Sequence, residues 1–248
     1  MVKKSLLFLV LLLVTICVAS AFQFSPLEQT FAPSGEKATQ TYTIVNDSDD
    51  TIAIRLSVFV RSQDSEGNEV RTDASSKFII SPANVIVYPQ STQIVRVQYR
   101  GSSSVVTVEE SYRLLAEQIP YSQGKSQSSQ SMFNFLYVYA TSLYVSPSSE
   151  TISVDIPTIK ARIDEEGNQV MDVTIRNSGN VHQILLDAEL TVAGPNGSTI
   201  TLSGSEQLPG IDSINVLARK KFTKTIPWPE GLPFVAGGSY KGTLKYSD

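Results

Sequence analysis

Side chains suited to catalysis are sparse in this chain. His182 is its only histidine, placed just after Gly179-Asn180 at the entry to a strand. A Ser-His-Asp triad needs a histidine as general base, so one could form only around His182. No G-x-S-x-G stretch presents a serine to it, and H-E-x-x-H, P-loop and G-x-G-x-x-G patterns are absent. His182 therefore reads as a packing residue near a turn. Paired carboxylates for glycoside hydrolysis meet in space, and the sequence leaves them open. Asp64, Glu66 and Asn68, like Asp164, Glu166 and Asn168, offer the oxygen atoms that calcium favours. Both sets lack the downstream glutamate of an EF-hand loop and have the composition of hairpin tips, so no metal is expected. No cofactor is expected either, and the chain reads as a non-enzyme. Asn46-Asp47-Ser48 and Asn196-Gly197-Ser198 match the glycosylation sequon, which matters only in a eukaryotic secretory route.

The elements that carry these residues begin after a leader. Lys3 and Lys4, an apolar run over residues 5–18 and Ala19-Ser20-Ala21 form a secretory signal peptide, residues 1–21. Cys17, the only cysteine, lies within it behind Ile16. A lipoprotein signal wants a small residue there, so the expected product is a soluble exported protein, meeting the membrane only through its leader. No later segment approaches the roughly 20 apolar residues needed to span a bilayer. Removing Lys3 and Lys4 from the 20 basic residues leaves 18 against 24 acidic ones, a net charge of −6. With no basic stripe, nucleic acid is not an expected partner.

Helical periodicity is nearly missing. Short apolar runs alternate with turn signals, which predicts an all-β sandwich or barrel. Strands are expected over residues 40–45, 53–61, 77–81, 94–99, 112–117 and 133–145. A second series is expected over 151–156, 160–164, 169–176, 183–191, 199–202, 220–226 and 238–246. Glu66-Gly67-Asn68, Glu166-Gly167-Asn168 and Asn196-Gly197 mark hairpins. TYTIVNDSDDTIAI from Thr41 and DVTIRNSGNVHQIL from Asp172 share Thr43/Thr174, Ile44/Ile175 and Asn46/Asn177 at one constant offset. This faint repeat suggests two related domains, 22–147 and 148–248, divided at Pro147-Ser148-Ser149-Glu150. Residues 121–131 (YSQGKSQSSQS) are polar and of low complexity, as in a surface loop.

SMFNFLYVYATSLYVSP, residues 131–147, is the least ordinary stretch. Phe133, Phe135, Tyr137, Tyr139, Thr141, Leu143 and Val145 share one face, and the other carries Asn134, Leu136, Val138, Ala140, Ser142 and Tyr144. Both faces are largely apolar, and no charge, Gly or Pro interrupts the strand before Pro147. A long apolar edge strand is normally blunted to prevent aggregation. Either this strand is internal, covered on both faces, or it is kept apolar to pair with a partner by strand addition.

At this point the chain resembles the PapD-like periplasmic chaperones of the chaperone–usher pilus pathway. The resemblance runs through Phe31-x-Pro33, Asn46, Phe78, Ser81-Pro82, Tyr88-Pro89-Gln90 and Gln93-Ile94-Val95-Arg96-Val97. It continues through Glu110-Ser111-Tyr112-Arg113-Leu114, Glu117-Gln118-Ile119-Pro120 and Tyr144-Val145-Ser146-Pro147. The later half is matched loosely, through Asn177-Ser178-Gly179-Asn180. The resemblance implies two immunoglobulin-like β-sandwich domains set at an angle, the first holding a long strand, G1, over 133–145. It implies that G1 completes an unfinished pilus or fimbrial subunit by donor-strand complementation. If Pro147 fixes the register, Phe133, Phe135, Tyr137 and Tyr139 face the subunit, and Leu136, Val138 and Ala140 fill the chain's own core. Burying three or four such rings corresponds to roughly 10–20 kcal/mol gross, before ordering costs.

The chain departs from that family at the anchor. Family members bind the subunit's C-terminal carboxylate with an Arg in the first strand and a Lys in G1. Aligning on Phe31 and Pro147 puts Glu28 and Ser142 at those positions, and neither pairs with a carboxylate as a cation does. The basic residue before the G1 proline, which contributes to contacts between the domains, is Ser146 here. Arg96 or Arg113 could supply another anchor, or the chain is a divergent relative that binds something else. An outer-membrane usher and a self-capping dimer are further partners that the resemblance suggests. The competing expectation is a structural or adhesive secreted β-sandwich protein whose long strand is simply internal.

Overall fold

The computed structural model describes residues 22–101, 105–121 and 135–247. The strands of the first half are β1 (Gln23–Ser25), β2 (Glu28–Phe31), β3 (Thr39–Asn46), β4 (Ile52–Gln63) and β5 (Glu69–Asp73). They continue with β6 (Phe78–Ser81), β7 (Asn84–Val87), β8 (Ser91–Tyr99), β9 (Glu110–Ile119) and β10 (Val138–Val145). A four-stranded sheet runs β1-β3-β8-β6, and a six-stranded sheet runs β2-β10-β9-β4-β5 with β7 also on β4. Period-two alternation builds the core between them. β9 buries Tyr112, Leu114 and Ala116 and turns Arg113, Leu115 and Glu117 outward. β8 likewise buries Val95, Val97 and Tyr99. Burying a leucine or valine side chain in this way contributes roughly 1.5–3 kcal/mol.

The second half holds β11 (Val154–Ile163), β12 (Gln169–Asn177), β13 (Gln183–Ile184), β14 (Leu186–Ala193) and β15 (Thr199–Ser203). β16 (Asn215–Val216), β17 (Lys221–Pro227) and β18 (Ser239–Ser247) complete it. Six strands run β15-β14-β18-β11-β12-β17, and β13 pairs with β16. Their core is a separate cluster that includes Ile159, Met171, Val173, Ile175, Leu190 and Phe222. The fold is thus two β-sandwiches in one chain.

Two expected strands, 151–156 and 160–164, are one strand, β11. Pro157 lies in its middle, at a bulge between Asp155 and Thr158 that accommodates a residue without an N–H. The expected strand at 183–191 is instead broken into β13 and β14, with Asp187 at φ 49° beside a bulge. The three expected hairpins are present, and Asp64 and Asp164 cap their own turns by accepting from the N–H groups of Glu66 and Asn68, and of Glu166 and Asn168.

Candidate functional site

β10 is held along one side only for part of its length. Against β9 it pairs throughout, from Val138↔Glu117 to Val145↔Glu110. Against β2 it pairs in parallel only over Ser142↔Glu28 to Val145↔Phe31. The first strand region causes this. β1 pairs with β3 in the opposite sheet, and the chain crosses to β10 only after Pro26, where Ser142 N–H donates to Leu27 O at 2.9 Å. On the other side Gln118 N–H donates to Tyr137 O at 2.9 Å. By alternation, Val138 and Ala140 point their N–H and C=O groups toward the uncovered edge.

Leu143 and Val145 are wholly buried in the first core, as is Thr141. The same parity then runs out of the core. Tyr139 and Tyr137 are half-buried against it, and Phe135 is 75% exposed. Tyr139 is covered by Phe22, the residue before β1. Its ring meets Phe22 edge-on at 4.8 Å, and its hydroxyl donates to Phe22 O at 2.6 Å. Phe133 lies outside the described residues. The expectation that Leu136, Val138 and Ala140 fill the core is overturned: Leu136 is 49% and Val138 55% exposed, and Ala140 is exposed too. The parity is set by Leu143 and Val145, whose burial assigns every odd position to the inner side. The outward face of β10 is covered only near its end, where Tyr144 is fully buried and stacked on His182 at 3.8 Å.

The two anchor positions, Glu28 and Ser142, are register partners. Arg113, on the other side of Ser142 in register, donates from Nη1 to Ser142 Oγ at 2.7 Å. Its Nε and Nη2 donate to Glu69 Oε2 at 2.9 and 2.7 Å. Arg71 Nε reaches Glu69 Oε1 at 2.5 Å and Arg61 Nε lies 2.8 Å from Oε2. Three guanidinium groups thus share one carboxylate. Burial alone would raise the Glu69 pKa. Hydrogen bonds from Arg113 and Arg71, with the charges of Arg113 and Arg61, outweigh it and hold the group at about 2. Arg96 is elsewhere: it is exposed on β8 of the other sheet, between Thr41 and Ser81.

This cluster adjoins a joint between the sandwiches. Arg61 Nη1 donates to the Tyr144 hydroxyl at 3.0 Å, and Asn215 Nδ2 reaches it at 2.9 Å. Buried Glu109 takes the His182 backbone N–H and lies 2.8 Å from its Nδ1. Its other oxygen accepts from Ser146 Oγ at 3.1 Å. Ser146 thus supports the joint only at one remove, through Glu109 of its own half. Gln63 brackets Asn215 and Leu217, and Thr223 N–H donates to Ser65 O at 2.9 Å. The signals missed in the sequence are Arg61, Arg71 and Glu69. They lie on β4 and β5, and only the hairpin between those strands brings them beside Arg113.

Residues 29–150 match the family of pili and flagellar-assembly chaperones, PapD N-terminal domain. No curated protein sequence matches the chain. Among solved structures, one similar in fold is the CsuC–CsuE chaperone–tip adhesion subunit pre-assembly complex from archaic chaperone–usher Csu pili of Acinetobacter baumannii. There 13% of residues are identical over 86% of this chain and 90% of that one, with a TM-score of 0.59. The Salmonella enterica SafA pilin–SafB chaperone complex gives 13% identity, 92% and 97% coverage and a TM-score of 0.53. The E. coli chaperone DraB gives 13%, 92%, 97% and 0.52.

Proposed function

Because the chain is a divergent member of the PapD-like chaperone family, we propose that it is a periplasmic chaperone for pilus or fimbrial subunits that lends β10 to its guest. The observation that carries this is the coincidence of an unpaired edge with an inner face that outruns its own core. Over residues 138–141 no strand among the described residues takes the β2-side hydrogen bonds, while the inward parity leads from buried Thr141 to exposed Phe135. A guest strand added there satisfies the backbone and extends the core over Tyr137 and Phe135. Phe135 alone leaves on the order of 150 Å2 of ring and stem in water, roughly 4 kcal/mol gross when covered.

Arg113 is the residue suited to holding a guest carboxylate, in place of the cations that Glu28 and Ser142 replace. It sits at the Ser142–Glu28 rung, and with Arg61 and Arg71 it outnumbers Glu69 by three charges to one. Arg96, on the other sheet, is not suited to that role. The test is co-expression with candidate small exported β-rich subunits. A subunit should co-purify with the native chain, should be lost on Phe135→Asp and should be weakened by Arg113→Ala. Phe135 is 75% exposed, so its substitution leaves folding intact. A complex that survives Phe135→Asp unchanged would sink strand donation.

A further inference from the structure

The even-numbered residues at the start of β10 carry two features at once. Their backbone groups point to the uncovered edge, and their side chains stand on the outward face of the sheet. The solvent side of an antiparallel sheet is ordinarily polar, and much of this one is. Arg55 and Glu117 pair across β4 and β9 at 2.7 Å, with Ser57 and Asn84 on the same face. Yet Val138 is 55% exposed, Ala140 is exposed beside half-buried Leu115, its register partner, and Leu136, two residues before β10 begins, is 49% exposed. The chemistry changes where the edge closes. Ser142, the first residue of β10 paired with β2, carries a hydroxyl bonded to Arg113. On β10, outward apolar side chains therefore coincide with the open stretch of edge.

We propose that the segment pairing with this edge is recognised on both of its faces, so that it must carry apolar side chains outward as well as inward. This rests on the strand-addition reading above. The unpaired N–H and C=O groups call for an extended backbone. Such a strand lies about 4.8 Å away, with its side chains directly beside that of Val138 and, where it runs on past the start of β10, that of Leu136. Its inward residues meet Tyr137 and Phe135. An amphipathic strand would set polar groups against Val138 and leave its methyls wet, whereas a two-faced strand covers them. Two apolar cross-strand pairs correspond to about a fourfold to tenfold preference.

Two fluorescein-labelled nine-residue peptides with flanking lysines test this, one alternating Val and Thr, the other Val throughout. Binding to the full mature chain is read by fluorescence anisotropy. The all-Val peptide should bind about fourfold to tenfold tighter. In the double variant Leu136→Thr, Val138→Thr that preference should vanish while the alternating peptide binds as before. Equal affinities for the native chain, or a preference that survives in the variant, would overturn two-faced recognition and leave strand addition standing. If neither peptide binds, or if Phe135→Asp changes the binding of neither, strand addition fails and two-faced recognition with it.

Discussion

Gly67 and Gly167 form a matched pair in which only one glycine touches the other sandwich. Each occupies the same position of an Asp-x-x-Gly-Asn hairpin, at φ +78° and +88°. In each, the Gly N–H donates to the Asp carbonyl at 3.2 Å. An alanine in this left-handed region costs about 1–2 kcal/mol at either site. Beyond that the sites differ. A Cβ on Gly167 meets nothing within 4 Å, whereas one on Gly67 falls 2.7 Å from Phe222 Cδ2. Phe222 is 2% exposed in the second core, so its ring cannot step aside as a flexible chain end would. Overpacking of this kind adds roughly 1–3 kcal/mol. Gly67→Ala should therefore cost about 2–5 kcal/mol and Gly167→Ala about 1–2. Trp228 is the chain's only tryptophan, and its ring packs on Phe234 and Tyr240 in the second sandwich. Its fluorescence during guanidinium unfolding should register a change made in the first sandwich. Strain could also be relieved by undocking, which small-angle scattering would reveal as a larger radius of gyration. Equal midpoint shifts for the two variants with an unchanged radius would refute the contact between Gly67 and Phe222.

Asn46→Ala should cost about 2–4 kcal/mol, because the buried amide donates to the carbonyls of Asp50, Val87 and Tyr88 and these lose their partner. Asn177→Ala should cost a similar amount, through the carbonyls of Val181 and Val216; denaturant midpoints of the two variants check both figures. Glu69 gives a pH signature: its folded pKa of about 2 lies below the ordinary glutamate value of 4.5, so its contribution is complete above pH 4.5 and disappears as pH falls to 2. The stability gap between the native chain and Glu69→Gln should narrow by roughly 1–2 kcal/mol over that window, after allowance for solvent screening, as read by urea unfolding at stepped pH. A gap independent of pH would show that the three arginines do not hold the carboxylate.

Strand existence was legible because alternation is local. Val95-Arg96-Val97 or Tyr112-Arg113-Leu114 announces a buried and an exposed face without reference to any partner. The repeat at Asn46 and Asn177 was legible for a related reason: both side chains play one role, each ending its own strand and donating to the carbonyl that closes another, Val87 of β7 and Val216 of β16. Short edge strands were not legible. β1, β2, β5 and β7 run three to five residues, too few for a period to declare itself, and their places are fixed by neighbours far along the chain. The inner and outer faces of β10 were misassigned for a more particular reason. Both parities of residues 135–140 are apolar, so hydrophobicity could not choose between them. The choice is made downstream, by Leu143 and Val145.

The anchor shows what the missing information amounts to. Alignment on Phe31 and on Pro147 separately led to Glu28 and Ser142, and the two prove to be one rung of a parallel pair. Sequence motifs thus converge on one rung, at which neither residue is a cation. A cation does stand on the neighbouring strand, since Arg113 lies across Ser142 on β9 and reaches it at 2.7 Å. In the anchoring role proposed above, it would keep the positive charge within a strand spacing of about 4.8 Å. It also requires Glu69 to orient the guanidinium, because a lone Arg113 would be repelled by Arg61 and Arg71. A carboxylate arriving at Ser142 would therefore meet an arginine already held on two sides, which lowers the ordering cost of binding it.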